Sequence, residues 1–148
     1  MDVVKFICAK DDFTGMADMR VELFDAFENY DMLNEFFGKH DKNLMEDKNI
    51  YFEGYDFKAW DDYVIIEQGE IISRAGIWKV NNTHWEVAGV STLPEYRRQG
   101  YGEAVVRSCI AKILESGKIA TCTTKTTNIA MINTALKAGF RIVKEEAE

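Results

Sequence analysis

The sequence predicts a mixed α/β (α+β) fold with a central, mostly antiparallel sheet of about six strands. Two short turns, Gln68-Gly69 and Asn81-Asn82, separate three β-rich segments in the middle of the chain. Turns of this kind join antiparallel strands. Helical and strand patterns then alternate towards the end of the chain. With 148 residues, of which 47% are hydrophobic, the chain suits one ordinary domain over residues 1–148.

The first part of the chain contains a predicted strand followed by predicted helices. Residues 3–8 are apolar and β-branched, which favours a first strand. From residue 16 to residue 39, apolar side chains recur at three- and four-residue spacing, which predicts two helices or a broken one. Residues 40–60 mix charges with aromatic side chains and show no period. That segment is either an irregular cover over the core or a loop whose aromatic side chains line a substrate pocket.

The rest of the chain supplies the remaining elements of the sheet and its helices. We expect strands over 62–67, 70–80, 83–92, 119–124 and 140–144, and helices over 102–116 and 128–138. Gly117 and Gly139 end the two helices, because glycine readily takes the left-handed conformation of a helix C-terminus. Pro94, the one proline, marks the end of the fourth strand.

The charge of the chain is unevenly distributed. The net charge is -7, and residues 1–61 carry fifteen acidic against seven basic residues, whereas the remainder carries ten against eleven. Proteins that bind nucleic acid need clustered Lys and Arg to displace counterions, so we expect no nucleic-acid partner. A cationic or amine-bearing partner suits the acidic part better. An acidic surface that serves only solubility is the alternative.

Composition also bears on localisation and metals. No stretch is long and apolar enough to span a bilayer, and no basic and then apolar leader follows Met1. Three cysteines, Cys8, Cys109 and Cys122, are too few and too widely spaced for a disulfide framework or a zinc site. Two isolated histidines cannot form a metal cluster. We therefore expect a cytoplasmic protein with reduced thiols, no metal and no membrane partner.

A glycine-containing turn between the fourth strand and the next helix has the character of a phosphate site. Its residues are Arg97, Arg98, Gln99, Gly100, Tyr101 and Gly102. Glycines let the backbone approach an anion, and the first amides of a helix have no partner within it. The helix dipole adds partial positive charge there. The dinucleotide fingerprint and the Walker pattern do not fit, because the third glycine and the Gly-Lys-Ser/Thr ending are absent.

The segment Pro94-Glu95-Tyr96-Arg97-Arg98-Gln99-Gly100-Tyr101-Gly102 resembles the acetyl-CoA signature of the GNAT N-acetyltransferase family, Gln/Arg-x-x-Gly-x-Gly/Ala with a Pro-x-Tyr-Arg-like lead-in. A second family feature follows about thirty residues on, where Asn128 opens a helix that ends in Gly139-Phe140. The resemblance covers roughly residues 62–144. It implies the GNAT fold, with helices on both faces of the sheet and with the fourth and fifth strands splayed apart.

The resemblance also implies a function and a set of cofactor-binding residues. The implied activity transfers acetyl from acetyl-CoA to a primary amine by direct attack in a ternary complex, on a small molecule or a protein. Residues 62–146 would form the acetyl-CoA-binding core, and residues 1–61 the substrate side. The implied cofactor contacts are the amides around Arg98, Gln99, Gly100, Tyr101 and Gly102 for the pyrophosphate, Asn128 for the pantetheine or cysteamine region, and the strand backbone at Val90 and Thr92 for pantetheine. Arg97 either contacts a phosphate or forms a structural ion pair.

Glu86 is the candidate general base. Some histone-type members of the resembled family carry their catalytic Glu at the corresponding position. The two-residue period of a strand puts Glu86 on the same face as Ala88, Val90 and Thr92. Burial among apolar neighbours is expected to raise its pKa, as a base requires. The alternative is a Glu in solvent or one paired with a Lys or Arg.

The position of the family's commonest general acid, a Tyr seven residues after the helix-opening Asn, is Ala135 here. Thr123, Thr124, a water or no acid at all remain as alternatives. Cys122 as an acyl-carrying nucleophile, with His40 or His84 as its base, is a further alternative to a core cysteine.

Two other functions remain open. One, motivated by Ala135 and by the unassigned base, is a catalytically silent CoA-binding sensor or interaction module. The other is an interaction protein whose glycine turn binds nothing and whose acidic, aromatic front part engages a basic partner. Dimers are common in the resembled family and among soluble enzymes, so a homodimer stands beside a monomer as an open alternative.

Overall fold

The computed structural model describes residues 2–40, 47–54, 56 and 58–147. Its strands are β1 (Asp2–Cys8), β2 (Val21–Phe24), β3 (Trp60–Glu67), β4 (Glu70–Trp78), β5 (His84–Thr92), β6 (Ile119–Lys125) and β7 (Arg141–Ala147). Its α-helices are α1 (Tyr30–His40), α2 (Lys48–Tyr51), α3 (Tyr101–Glu115) and α4 (Ile129–Ala138). Single 3₁₀ turns occur at Lys10–Asp12 and Pro94–Tyr96.

The seven strands of the described residues form one sheet in the order β2-β3-β4-β5-β6-β1-β7. Within this sheet the β5–β6 pair is parallel and the other neighbours are antiparallel. The predicted mixed and mostly antiparallel sheet is confirmed, with one strand more than expected. Gln68 and Gly69 join β3 to β4 with φ of 51° and 77°, as a two-residue hairpin turn demands. The connection from β4 to β5 spans residues 79–83 and is therefore longer than the two-residue turn expected at Asn81-Asn82. Within it, the Asn81 side chain accepts the N–H groups of Thr83 and His84.

The additional strand is β2, and the prediction of helix over residues 16–39 is wrong there. Residues 21–24 pair antiparallel with β3 at the edge of the sheet. The Asp18 N–H donates to the Ser108 hydroxyl of α3 at 2.9 Å, which pins the preceding turn and presents residues 21–24 to the free edge of β3. The three- and four-residue spacing that predicted a helix here includes Met19 and Leu23, but both side chains are exposed and do not form the buried face of a helix. Helix forms only from Tyr30 onwards in this region.

Helices cover both faces of the sheet, as predicted. Ser73 and Arg74 are neighbours on β4, so their side chains point to opposite faces. The Ser73 hydroxyl meets the Thr92 hydroxyl at 2.8 Å, and Thr92 lies beside Gly102 of α3. The Arg74 guanidinium lies 5.6 Å from the ring centroid of Phe37 in α1. Among the described residues, no helix is long and apolar enough to cross a membrane.

The aromatic segment before β3 packs on α1. The Tyr30 ring lies 5.1 Å from that of Tyr51 and 5.5 Å from that of Phe52. These contacts favour the interpretation of the segment as a cover over the core. Tyr55 and Phe57, which belong to the same segment, lie outside the described residues.

The strands β5 and β6 pair over three residues and then separate. Their parallel register runs from His84 opposite Ile119 to Glu86 opposite Thr121. Beyond this point β5 contains a bulge, because its register against β4 shifts and Gly89 takes a φ of 65°. A bulge bends a strand and increases its twist. The predicted splay between these two strands is therefore present, and it leaves a gap in the sheet.

Candidate functional site

A cleft of about 920 Å³ enters the sheet at this gap. It is bounded by β5, β6, the N-terminus of α3 and one side of α4. Eight of the predicted site residues line it: Val90, Thr92, Arg97, Arg98, Gly100, Tyr101, Gly102 and Asn128. Gln99 and Glu86 are not among its lining residues. The fold thus brings the glycine turn and Asn128, which are distant in sequence, to one cavity.

The glycine turn leaves a run of free backbone amides. Gly100 precedes α3 with a φ of 85°, and Arg98 takes a φ of 64°, which is uncommon for a residue with a side chain. The first N–H used in the helix is that of Ala104, which donates to the Gly100 carbonyl at 3.0 Å. Among the described residues, the N–H groups of residues 98–103 find no acceptor. Such a helix start attracts an anion through its N–H groups and its dipole.

Two side chains of this turn donate hydrogen bonds to backbone carbonyls that precede it. The Arg97 Nε donates to the Thr92 carbonyl at 3.1 Å, and the Gln99 amide donates to the Glu95 carbonyl at 3.2 Å. Arg97 also lines the cleft. No ion pair between described residues includes Arg97, so within that part of the chain its contact is to a carbonyl. Glu103 and Arg107, four residues apart on α3, form an ion pair at 3.3 Å.

One face of α4 forms the opposite wall. Asn128 caps the helix, because its side-chain oxygen accepts the N–H of Met131 at 3.1 Å. The cleft is lined further by Ala130, Asn133, Thr134 and Lys137. These four residues were not predicted from the sequence. Their spacing of three and four residues places them on one helix face, and that pattern could have indicated them. Lys137 adds a third cationic side chain to a cleft already lined by two arginines.

Glu86 is half-buried near the inner end of the cleft. Its carboxylate accepts a hydrogen bond from the Thr123 hydroxyl at 3.5 Å. Burial raises the pKa of Glu86, against the opposing effects of this hydrogen bond and of the positive charge on Lys5. Thr123 itself lines the cleft. The Thr123 hydroxyl therefore lies between the Glu86 carboxylate and the cleft.

The expectation that Glu86 shares a face with Val90 and Thr92 is wrong. Glu86 lies opposite Trp78 and Thr92 lies opposite Ser73. The two partners are five residues apart on β4, whereas Glu86 and Thr92 are six apart on β5, because the bulge inserts one residue. Side chains beyond the bulge are thereby transferred to the other face. Val90 and Thr92 face α3, while Glu86 faces the side of α1, and the gap between β5 and β6 connects the two.

The remaining candidate chemical groups are constrained by their surroundings. Burial raises the pKa of the Cys122 thiol to about 12, and the charge of Glu86 adds to the effect. This thiol is protonated near neutral pH, which does not fit a nucleophilic cysteine. The ring of His84 contacts the Thr83 hydroxyl at 2.7 Å, and the side chain of His40 lies outside the described part. Ala135 is fully buried. Among the described residues, no His, Cys, Asp and Glu side chains cluster as metal ligands would.

Comparison with known proteins identifies the family. Residues 26–140 match the acetyltransferase (GNAT) family. The match covers most of the chain and includes the cleft, its glycine turn and α4. The chain belongs to the GNAT acetyltransferase family. No curated protein sequence matches the chain significantly.

Solved structures share the fold. A GNAT-family protein from Novosphingobium aromaticivorans superposes with a TM-score of 0.73 at 18% identity, over 97% of this chain and 60% of that protein. A GNAT acetyltransferase from Colwellia psychrerythraea gives 0.74 at 14%, over 97% and 53%. An aminoglycoside 6′-N-acetyltransferase in complex with coenzyme A gives 0.56 at 16%, over 68% and 58%. The chain spans little more than half the length of these proteins. At such identities the likeness shows the fold alone.

Proposed function

We propose that this chain is an N-acetyltransferase that moves an acetyl group from acetyl-CoA to a primary amine by direct attack in a ternary complex. The acceptor is an amine-bearing small molecule or a protein amine. One observation carries the proposal: residues 98 and 100–103, whose N–H groups find no acceptor among the described residues, line the same cleft that enters the sheet between β5 and β6. A cofactor with a diphosphate along its length and a thioester at its end fits that combination.

The cleft supplies contacts suited to each part of CoA. The amides from Arg98 to Gly102 would bind the pyrophosphate. The backbone of Val90 and Thr92 would hold pantetheine where β5 has left β6. Asn128, at the start of α4, would bind the region near the thiol. The helix α4 starts at the gap with Asn128 and passes Gly102 at Thr134. Lys137 lies one turn further along α4 and would contribute positive charge beyond the pyrophosphate.

The chemical step needs a base, and Glu86 is the group we propose for it. When bound, acetyl-CoA supplies an acyl group activated as a thioester. The acceptor amine must lose a proton to react, and a half-buried carboxylate with a raised pKa is suited to take it near neutral pH. Thr123 lies between this carboxylate and the cleft and would relay the proton or orient the amine. Thr123 and Thr124 are the hydroxyls available to the leaving thiolate in β6.

A second candidate function is a CoA-binding module without turnover. The observation that favours it is Ala135, which is fully buried and offers no proton donor at the position where the family's commonest general acid stands. The two candidates share the cofactor site and differ only in chemistry.

Calorimetric titration with acetyl-CoA, followed by detection of released thiol with a panel of amines, separates these functions. Binding together with thiol release that depends on an amine supports the acetyltransferase. Binding without thiol release from any acceptor supports the silent module. Absence of binding would contradict both.

A further inference from the structure

We propose that Arg74 and Asp62 form a buried clamp that holds the β5 bulge in shape and thereby sets the affinity of the cleft for its cofactor. Arg74 is in this view a positioning residue, acting through the backbone of Gly89. The ligand of this inference, acetyl-CoA, rests on the proposed function, whereas the clamp and its contact with the bulge rest on the geometry of the sheet.

The clamp joins three strands. Arg74 on β4 is 6% exposed and Asp62 on β3 is 2% exposed. One guanidinium nitrogen of Arg74, Nη2, donates to the Asp62 carboxylate. The other, Nη1, donates to the carbonyl of Gly89 in β5 at 3.2 Å. One planar side chain therefore connects an acid on β3 to the left-handed residue of the bulge.

The surroundings hold the two partners in place. The Trp60 indole N–H donates to the same Asp62 oxygen at 3.0 Å. The Arg74 guanidinium lies over the ring of Phe37 in α1. These contacts restrict the side-chain conformations of both ions and keep the Nη1 group of Arg74 beside the Gly89 carbonyl.

Stability alone does not account for this arrangement. Buried ion pairs contribute little net stability, and well-packed apolar residues of similar volume often replace them without loss. The Arg74 Nε is buried and has no hydrogen-bond partner among the described residues, which is a further cost. What the pair achieves structurally is a side-chain donor for the Gly89 carbonyl at the bulge.

The bulge matters because it forms the wall of the cleft. Residues 87–92 all line the cavity, and the bulge transfers Val90 and Thr92 to the face of α3. A bulge interrupts the ladder of hydrogen bonds between strands, so the bond from Arg74 replaces part of what the ladder would supply. Loss of that bond would let residues 88–90 shift, and displacements of about 1 Å have large effects on positioned groups.

The test uses the double variant Asp62→Leu/Arg74→Met, which removes both charges while keeping approximate volume. We expect it to retain a cooperative thermal transition near that of the wild type. We expect acetyl-CoA affinity, measured by calorimetry, to fall on the order of tenfold or more. Hydrogen exchange should accelerate at the amides of residues 88–91. A matched control is Asp61→Leu/Lys79→Met, which removes the neighbouring, more exposed pair at 3.1 Å and should leave affinity unchanged.

A folded double variant that binds acetyl-CoA as tightly as the wild type would overturn the inference and leave the proposed function intact. A wild type that binds no acetyl-CoA would overturn the proposed function and the affinity part of the inference together. If the double variant does not fold, Arg74→Lys decides, because one ammonium cannot reproduce the fork between Asp62 and Gly89. Lower affinity supports the clamp, and unchanged affinity contradicts it.

Discussion

Gly102 of α3 and Thr134 of α4 face each other across the entrance to the cleft. A Cβ placed on Gly102 would lie 3.6 Å from the Thr134 methyl group and 3.6 Å from the Thr92 hydroxyl. That distance is an ordinary contact, so one added methyl fits between the two walls. A valine carries two further methyl groups beyond this Cβ, which would extend into the approach to the glycine turn.

This spacing gives a graded prediction at Gly102. Gly102→Ala should bind acetyl-CoA nearly as well as the wild type and gain about 0.5–1 kcal/mol of helix stability. Gly102→Val should weaken acetyl-CoA binding by roughly tenfold or more, because its branched side chain would occupy the approach of the phosphates to the amides of the turn, and each ~1.4 kcal/mol of steric cost that arises only in the complex is tenfold in affinity. Calorimetry of both variants checks this. Equal affinities for the valine and alanine variants would place the cofactor elsewhere.

Glu86→Gln should lower turnover by about 10²-fold or more near neutral pH, because the amide cannot accept a proton. Acetyl-CoA affinity should stay almost unchanged, since Glu86 does not line the cleft. In the wild type, the acidic limb of the kcat/KM profile should lie above the ordinary pKa of a glutamate, because burial raises the pKa of Glu86. Steady-state rates from pH 5 to pH 9 test this. An unchanged profile in the variant would remove Glu86 from the mechanism.

The same variant should change stability with a defined sign. Because burial raises the folded pKa of Glu86, folding favours the protonated carboxyl. The resulting stabilisation is full below the unfolded pKa of about 4.3 and is lost as pH rises through the folded pKa. Glutamine stays neutral, so the free energy of unfolding of Glu86→Gln relative to wild type should increase from pH 4 to pH 7. Urea unfolding at both pH values measures it, and a decrease would mean that the fold favours the ionised carboxylate.

Lys137→Gln should weaken CoA binding about two- to fivefold, the size of an exposed ion pair. If its partner is the 3′-phosphate, binding of 3′-dephospho-CoA should be the same for variant and wild type. Calorimetry of the wild type and of Lys137→Gln, each with CoA and with 3′-dephospho-CoA, measures the four affinities that this comparison needs. Equal losses for both ligands would assign Lys137 to the pyrophosphate instead. No loss with either would remove it from the site.

Cys122→Ala should retain turnover within a few-fold of the wild type. With its pKa raised to about 12, the thiol is protonated at pH 7 and cannot act as a nucleophile. Mass spectrometry should also find no acetyl group on Cys122 after incubation with acetyl-CoA alone. An acetylated Cys122, together with an inactive alanine variant, would replace direct attack by a two-step route.

The features predicted from sequence are those set by local chemistry. The hairpin at Gln68-Gly69 follows from two residues that accept positive φ. The position of the glycine turn before α3 follows from the strand, the turn residues and the helix pattern in direct succession. Ala135 as a departure from the family is visible in the sequence itself. None of these depends on contacts between distant segments.

The features missed depend on packing between distant segments. Residues 21–24 join the sheet because β3 offers an edge and Ser108 of α3 anchors Asp18, and neither is visible in their own spacing. The face of Glu86 relative to Thr92 depends on a bulge that Arg74 stabilises from the neighbouring strand. Side chains alternate between the two faces only in a regular strand, and one inserted residue reverses the alternation beyond it.

Binding of the CoA pyrophosphate by the amides of residues 98–103 can be tested by amide NMR of the labelled protein during titration with CoA. We expect the N–H signals of residues 98–103 to show the largest shifts and to become protected from exchange, because these groups have no acceptor among the described residues. Shifts confined to other parts of the chain, or no shifts at saturating CoA, would contradict it.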